Sequence, residues 1–205
     1  MTSFIEVYDN ALTGEECKIL ISQFEKSQNK TEGGLISYDK FVVDYSRKQS
    51  IEINPSFSNG DIISNIIKCK LDKCIEKYNN KYPDMLDSIG SWSCEEHYNF
   101  QKYDGKDDGF KKWHCDSGSK SSCSRILVWM FYLNNAQSGT DYMYYSNINA
   151  KRGRCIIWPA SITHVHRSHL PNKGLKYIVT GWVSFDDRTD NHPLPRIKPK
   201  RMGIF

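Results

Sequence analysis

The sequence predicts a mainly β fold of the α+β class, with N-terminal helices packed on one face of a sandwich or barrel. Two observations predict it. From residue 92 onward, short aromatic and β-branched runs alternate with turns, the texture of an all-β domain. Before residue 92, two segments carry apolar residues at helical period, the first opened by a capping-box pattern. A chain of 205 residues suits one domain with a sizeable core. The expected layout is therefore a helical support region over 1–90, a β core over 91–186 and a basic tail over 187–205.

Phe4 to Tyr8 reads as a short strand that ends in a turn at Asp9-Asn10. Thr13-Gly14-Glu15-Glu16 is a capping-box pattern and opens a helix carrying Ile19, Leu20, Ile21 and Phe24, which ends near Ser27. Gln28 to Gly34 is polar and reads as loop, and the polar stretch from Gly33 to Ser58 is a candidate for substrate-facing loops. A second helix is expected from Asp61 to about Asn79, with Ile62, Ile63, Ile66, Ile67, Leu71, Cys74 and Ile75 as its core stripe. Pro83 lies just past its end. The β runs are Glu96 to Tyr103, Arg125 to Leu133, Arg154 to Trp158, His164 to His169 and Lys176 to Phe185. Asp104-Gly105, Asn134-Asn135, Ser138-Gly139 and Asn172 to Gly174 punctuate them.

Composition removes several classes of function. The net charge is only +4, and part of the excess sits in Pro195 to Arg201. No basic patch interleaved with aromatics appears, which argues against nucleic acid. The start has neither a basic n-region nor an apolar h-region, and no apolar run approaches membrane-spanning length. Seven cysteines, an odd number with no C-x-x-C pair, argue against a disulfide framework or structural zinc. Reduced thiols and a cytoplasmic location are expected, the host cytoplasm if the chain is viral.

The chemistry gathers at His114-Cys115-Asp116, His164-Val165-His166 and Lys176. Two imidazoles and one carboxylate that leave open positions suit non-haem Fe(II). His114 and Asp116, two apart, project to one side of an extended segment. A lone H-x-D is common by chance, and this one is flanked by loop residues; it gains weight from the histidines and the lysine downstream. His164, His166 and His169 are all candidates for the third ligand, and alternation does not choose between His164 and His166. Lys176 starts the last β run, and an inward ammonium there is costly unless it meets an anion.

With these residues in place, the segment from Glu96 to Phe185 resembles the prolyl 4-hydroxylase-like branch of the 2-oxoglutarate and Fe(II)-dependent dioxygenases. The pattern is a Tyr, then H-x-D, an Arg-led strand ending Tyr-Leu-Asn, a Gly-marked turn, a distal His and a basic residue ten later. His166 lies ten before Lys176, and Gly174 two before it. The resemblance implies a double-stranded β-helix, a jelly-roll of the cupin kind, in a single oxygenase domain. It implies His114, Asp116 and His166 as iron ligands and Lys176 as partner of the far carboxylate of 2-oxoglutarate. It leaves His164 beside the site and His169 facing outward. Tyr103 and Tyr132 match tyrosines that help hold the co-substrate. Arg125 matches an arginine at the mouth that can touch substrate, and Trp182 matches a late Trp that can be simple packing. Ser184 stands where collagen-type members carry His, and Ser138-Gly139-Thr140 replaces a Gly-Gly stretch. Both departures bear on substrate, and the texture is that of small, free-standing bacterial and viral members.

The resemblance further implies Fe(II), 2-oxoglutarate and O2, with ascorbate as a candidate reductant. The reaction is hydroxylation of an unactivated C–H, by default in a prolyl residue of a protein or peptide. A small molecule, such as a free amino acid, or a nucleic-acid base is the alternative substrate. A β-sandwich that binds a ligand without turnover is the rival of another class.

Overall fold

A computed structural model describes residues 2–37 and 40–186; the basic tail over 187–205 lies outside the described residues. Strand β1 (Glu6–Tyr8) precedes helix α1 (Gly14–Lys26). Short strands β2 (Thr31–Glu32), β3 (Leu35–Ser37), β4 (Lys40–Val42), β5 (Lys48–Gln49) and β6 (Ile51–Ile53) come next. Helices α2 (Ile62–Lys81) and α3 (Pro83–Asp87) lead to β7 (Trp92–Cys94), β8 (Asn99–Tyr103), β9 (Gly109–Phe110) and β10 (Arg125–Tyr132). The chain continues through β11 (Gly139–Tyr142), β12 (Ile148–Asn149), β13 (Cys155–Pro159), β14 (His166–Ser168) and β15 (Lys176–Phe185).

The local signals act as expected at the helix ends. Thr13 caps α1 in a full capping box: its Oγ1 accepts from Glu16 N at 3.2 Å, and Glu16 Oε2 accepts from Thr13 N at 2.8 Å. Asp61 caps α2 by accepting from Ser64 N at 2.8 Å. Asn10 takes a left-handed φ of 58° at the turn after β1, a conformation Asn tolerates better than most residues.

The strands form an antiparallel jelly-roll. The larger sheet has eight strands in the order β1-β13-β10-β15-β8-β6-β2, with β7 also pairing β15. The smaller sheet runs β12-β11-β14, and β3–β4 and β5–β9 are separate pairs. Alternation along the central strands divides the interior in two. Leu127, Trp129 and Phe131 of β10, Cys155 and Ile157 of β13 and Tyr177, Val179 and Val183 of β15 pack under α1 and α2. Their alternates Val128, Tyr132, Ile156, Trp158 and Ile178 face the inside of the roll. Leu20 and Phe24 of α1 and Ile67 of α2 are fully buried against the first face, each stabilising by about 1.5–3 kcal/mol.

Three expectations change. The 28–34 segment contains β2, which extends the large sheet through β6. The first ninety residues thus supply strands as well as helices, and β5 reaches the pocket by pairing with β9. The run from His164 to His169 narrows to β14, because residues Ile162–His164 close into a 3-10 turn. That turn breaks the two-residue period, so His164 and His166 do not share a face.

Candidate metal centre and co-substrate pocket

Backbone pairing brings the two histidines together. His114 N donates to His166 O at 3.0 Å and His166 N donates to His114 O at 2.9 Å, a closed antiparallel bridge. Their rings sit with centroids 4.3 Å apart. Asp116 is fixed next to them: its N and that of Ser117 both donate to Ala160 O, at 3.1 and 3.0 Å. Ligand atoms of His114, Asp116 and His166 all lie within 4.8 Å of one another, the one such metal-competent group among the described residues.

The hydrogen bonds aim these atoms. His114 Nδ1 lies 3.0 Å from Lys112 O, and His166 Nδ1 lies 3.0 Å from His164 O. A carbonyl only accepts, so each Nδ1 carries its proton and each Nε2 keeps a lone pair. Burial, and then the neighbouring His166, pulls His114 down to about 4, which keeps it neutral. Phe110 stacks on the His114 ring at 3.5 Å, and Trp158 meets the His166 ring edge-on at 5.1 Å. Asp116 Oδ2 is buried with no hydrogen-bond partner and lies 3.5 Å from His166 Nε2. Two imidazole lone pairs and an orphaned carboxylate oxygen form a donor set that fits Fe(II).

The triad opens on a cavity of about 100 Å³ inside the roll, lined also by Lys48, Gln101, Tyr103, Tyr132, Lys176 and Trp182. Lys176 Nζ donates to Ser138 Oγ at 2.9 Å and lies 4.8 Å from the centre of the Tyr103 ring. Only 2% exposed, its ammonium is pushed down to about 8 by burial, with Asp141 opposing. The Tyr103 hydroxyl donates to Gln101 Oε1 at 2.5 Å, and the Tyr132 hydroxyl lies 2.6 Å from Thr140 Oγ1. Burial raises both phenols, so they stay protonated as donors.

The remaining sequence candidates lie elsewhere. Arg125 is not among the cavity-lining side chains; its Nε and Nη2 donate to Glu95 at 3.0 and 3.3 Å. His164 turns away, with Nε2 at 2.7 Å from Ser3 O and its ring stacked on Tyr145. His169 is half exposed and pairs with Asp141 at 2.7 Å. Sequence reasoning did not single out Lys48, a buried cavity residue paired with Glu52 at 2.7 Å; it lies in the stretch read as candidate substrate-facing loops. It also undervalued Trp182, which donates its Nε1–H to Asp116 Oδ1 at 2.8 Å. A signal existed: Trp182 shares strand parity with Lys176, Ile178 and Thr180, and all four line the cavity.

The family model of the 2OG-Fe(II) oxygenase superfamily matches residues 98–184, the span that holds all three metal-competent side chains and Lys176. The matched span is similar to a 2OG-Fe(II) oxygenase domain. The chain is a 2-oxoglutarate-dependent dioxygenase, with Fe(II) and 2-oxoglutarate as its cofactor and co-substrate. No curated protein matches the chain in sequence. Among solved structures, the oxygenase is similar to a viral collagen prolyl hydroxylase of Paramecium Bursaria Chlorella virus-1 in its 2OG complex. Identity is 18%, the TM-score 0.64, and coverage is 89% of this chain and 97% of that one. A Trichoplax adhaerens prolyl hydroxylase, in complex with a hypoxia inducible factor peptide fragment, gives 14%, 0.65, 89% and 84%. A Pseudomonas putida prolyl-4-hydroxylase gives 12%, 0.67, 89% and 94%. At these identities the likeness is one of fold. No helix among the described residues is long and apolar enough to cross a membrane.

Proposed function

We propose that the oxygenase hydroxylates an unactivated C–H of a prolyl residue in a protein or peptide, using His114, Asp116 and His166 to hold the iron. The convergence of those three side chains beside a buried lysine carries this reading. Lys176 receives the far carboxylate of 2-oxoglutarate, where a charge-assisted bond repays the cost of its burial. Tyr103 lies beside Lys176 and Tyr132 lines the same cavity; turning their hydroxyls from Gln101 and Thr140 would let them donate to that carboxylate. Bound iron with 2-oxoglutarate and O2 supplies the oxidising power, with succinate and CO2 as co-products. Phe110 and Trp158 fix the imidazole planes and keep water from the histidine side of the site. The prolyl assignment draws support from the shared fold of the prolyl hydroxylases.

The test is succinate formation from 2-oxoglutarate with Fe(II) and O2, alone and with proline-containing peptides. His114→Ala and Asp116→Ala are expected to abolish it. Full turnover in either variant would end the ligand assignment, and turnover that only free amino acids stimulate would end the prolyl one.

A further inference from the structure

We infer that Trp182 is a positioning residue for the metal-binding carboxylate, held in place by an Arg125–Glu95 clamp, so that Asp116 presents one oxygen, Oδ2, to the iron. The inference rests on the ligand set proposed above and adds residues to it.

Asp116 has two chemically equal oxygens, and the terminal torsion of a carboxylate is soft. Left alone, it could offer either oxygen or chelate with both. The structure breaks that symmetry. Oδ1 accepts the Trp182 indole N–H at 2.8 Å, while Oδ2 is buried without a hydrogen-bond partner on the side of His166. A partial rotation, toward chelation by both oxygens, would cost the indole N–H its acceptor.

The indole is itself clamped. The Arg125 guanidinium lies 3.5 Å from the centre of the Trp182 ring. Its fork is fixed by Glu95, whose Oε1 and Oε2 accept from Nε and Nη2 at 3.0 and 3.3 Å. Ser184 Oγ donates to the same Glu95 Oε1 at 2.6 Å, and Glu95 N donates to Trp182 O at 2.9 Å. A register shift between Arg125 and Leu127 places the arginine at this point of the β10–β15 ladder, as bulges beside active sites do. The Arg125–Glu95 pair is about one quarter exposed, so its own contribution to stability is small. What it does is hold the ring plane, and a cation on the indole face strengthens the N–H as a donor.

The experiment titrates the metal-free full-length protein with Co(II), reading affinity by calorimetry and geometry by the visible ligand-field bands. Trp182→Phe keeps the ring and removes the N–H. It is expected to weaken Co(II) binding about 10–100-fold, the usual effect of losing an outer-shell partner, and to alter the band pattern. Arg125→Met is expected to weaken binding less, and to add nothing in the Trp182→Phe background, because it acts through the indole. Wild-type affinity and bands in Trp182→Phe overturn the inference. Wild-type affinity in Arg125→Met, or additive losses in the double variant, overturn the clamp. Should Trp182→Phe not fold, hydrogen exchange of the Trp182 indole N–H in the metal-bound wild type takes its place: slow exchange is expected, and an unprotected N–H overturns the inference. His114→Ala separates the two readings. Retention of Co(II) binding there sinks the ligand set itself, and a wild-type protein that binds no Co(II) sinks both.

Discussion

Lys176 shows how much one side chain can report. Burial pushes its ammonium from an ordinary 10.5 down to about 8, with Asp141 pulling the other way. A carboxylate delivered to Nζ restores the charged form, so binding above about pH 8 must take up a proton. The apparent affinity for 2-oxoglutarate is therefore expected to fall as pH rises past 8, and Lys176→Met is expected to lose the dependence. The variant should also raise the KM for 2-oxoglutarate roughly 10–150-fold, from about 1.5–3 kcal/mol for a hydrogen bond to a charged group. Stability moves the opposite way. Between about pH 8 and 10.5 the unfolded chain binds more protons at this lysine than the folded one, so ligand-free stability gains a rising contribution across that window. Melting curves of wild type and Lys176→Met over that range test the sign; an identical pH slope in both would place the lysine in an ordinary environment. The lysine stood out in the sequence because it starts the last β run ten residues after His166, with Gly174 two before it. That glycine sits at φ 94° in the turn before β15, a conformation other residues take only with strain. His166 was legible by its distance to Lys176, whereas alternation alone left His164 equal to it.

At the scale of elements, the small sheet holds the distal histidine in place. β11 pairs with β14 from Thr140↔Ser168 to Tyr142↔His166, and with β12 through Gly139↔Asn149. Gly139 permits the second pairing. A Cβ there would stand 2.1 Å from Ile148 O, a backbone atom that cannot yield without moving the strand. Gly139→Ala is expected to part β11 from β12 at a cost of about 1–3 kcal/mol, lowering the melting temperature by about 2–4 °C per kcal/mol. Because β11 also carries β14, Fe(II) affinity should weaken with it. A variant as stable as wild type would show that the strands can separate freely. In sequence, Ser138-Gly139-Thr140 looked like a reduced turn motif; its role as a point of close strand approach appears only when β12 lies across it. The helices were simpler, because Thr13 and Asp61 act locally and their caps need no distant partner.

For the whole molecule, the interior divides into two apolar layers. One layer, under α1 and α2, carries most of the burial; the other, inside the roll, is interrupted by the cavity and its polar groups. Stability of the second layer should thus respond to ligands. Metal alone at 100 times Kd is expected to add about 2.7 kcal/mol, or roughly 5–11 °C in melting temperature for a chain of this size, and 2-oxoglutarate a further increment. His114→Ala should show none of the metal-dependent part in a thermal-shift assay. An equal shift in that variant would locate the metal elsewhere.

Sequence by itself determined the fold class, the two helices, the last long strand and a short set of chemically capable residues. Each of these depends on local pattern or fixed spacing along the chain. Tertiary structure alone decided that His164 turns to Ser3, that Arg125 faces Glu95 and an indole, and that Lys48 from the N-terminal half reaches the cavity. Those outcomes depend on a 3-10 turn, a register shift and the pairing of β5 with β9. The turn breaks the strand period locally, the other two bring together residues far apart in the chain, and no periodicity along a single segment encodes where a second segment will lie.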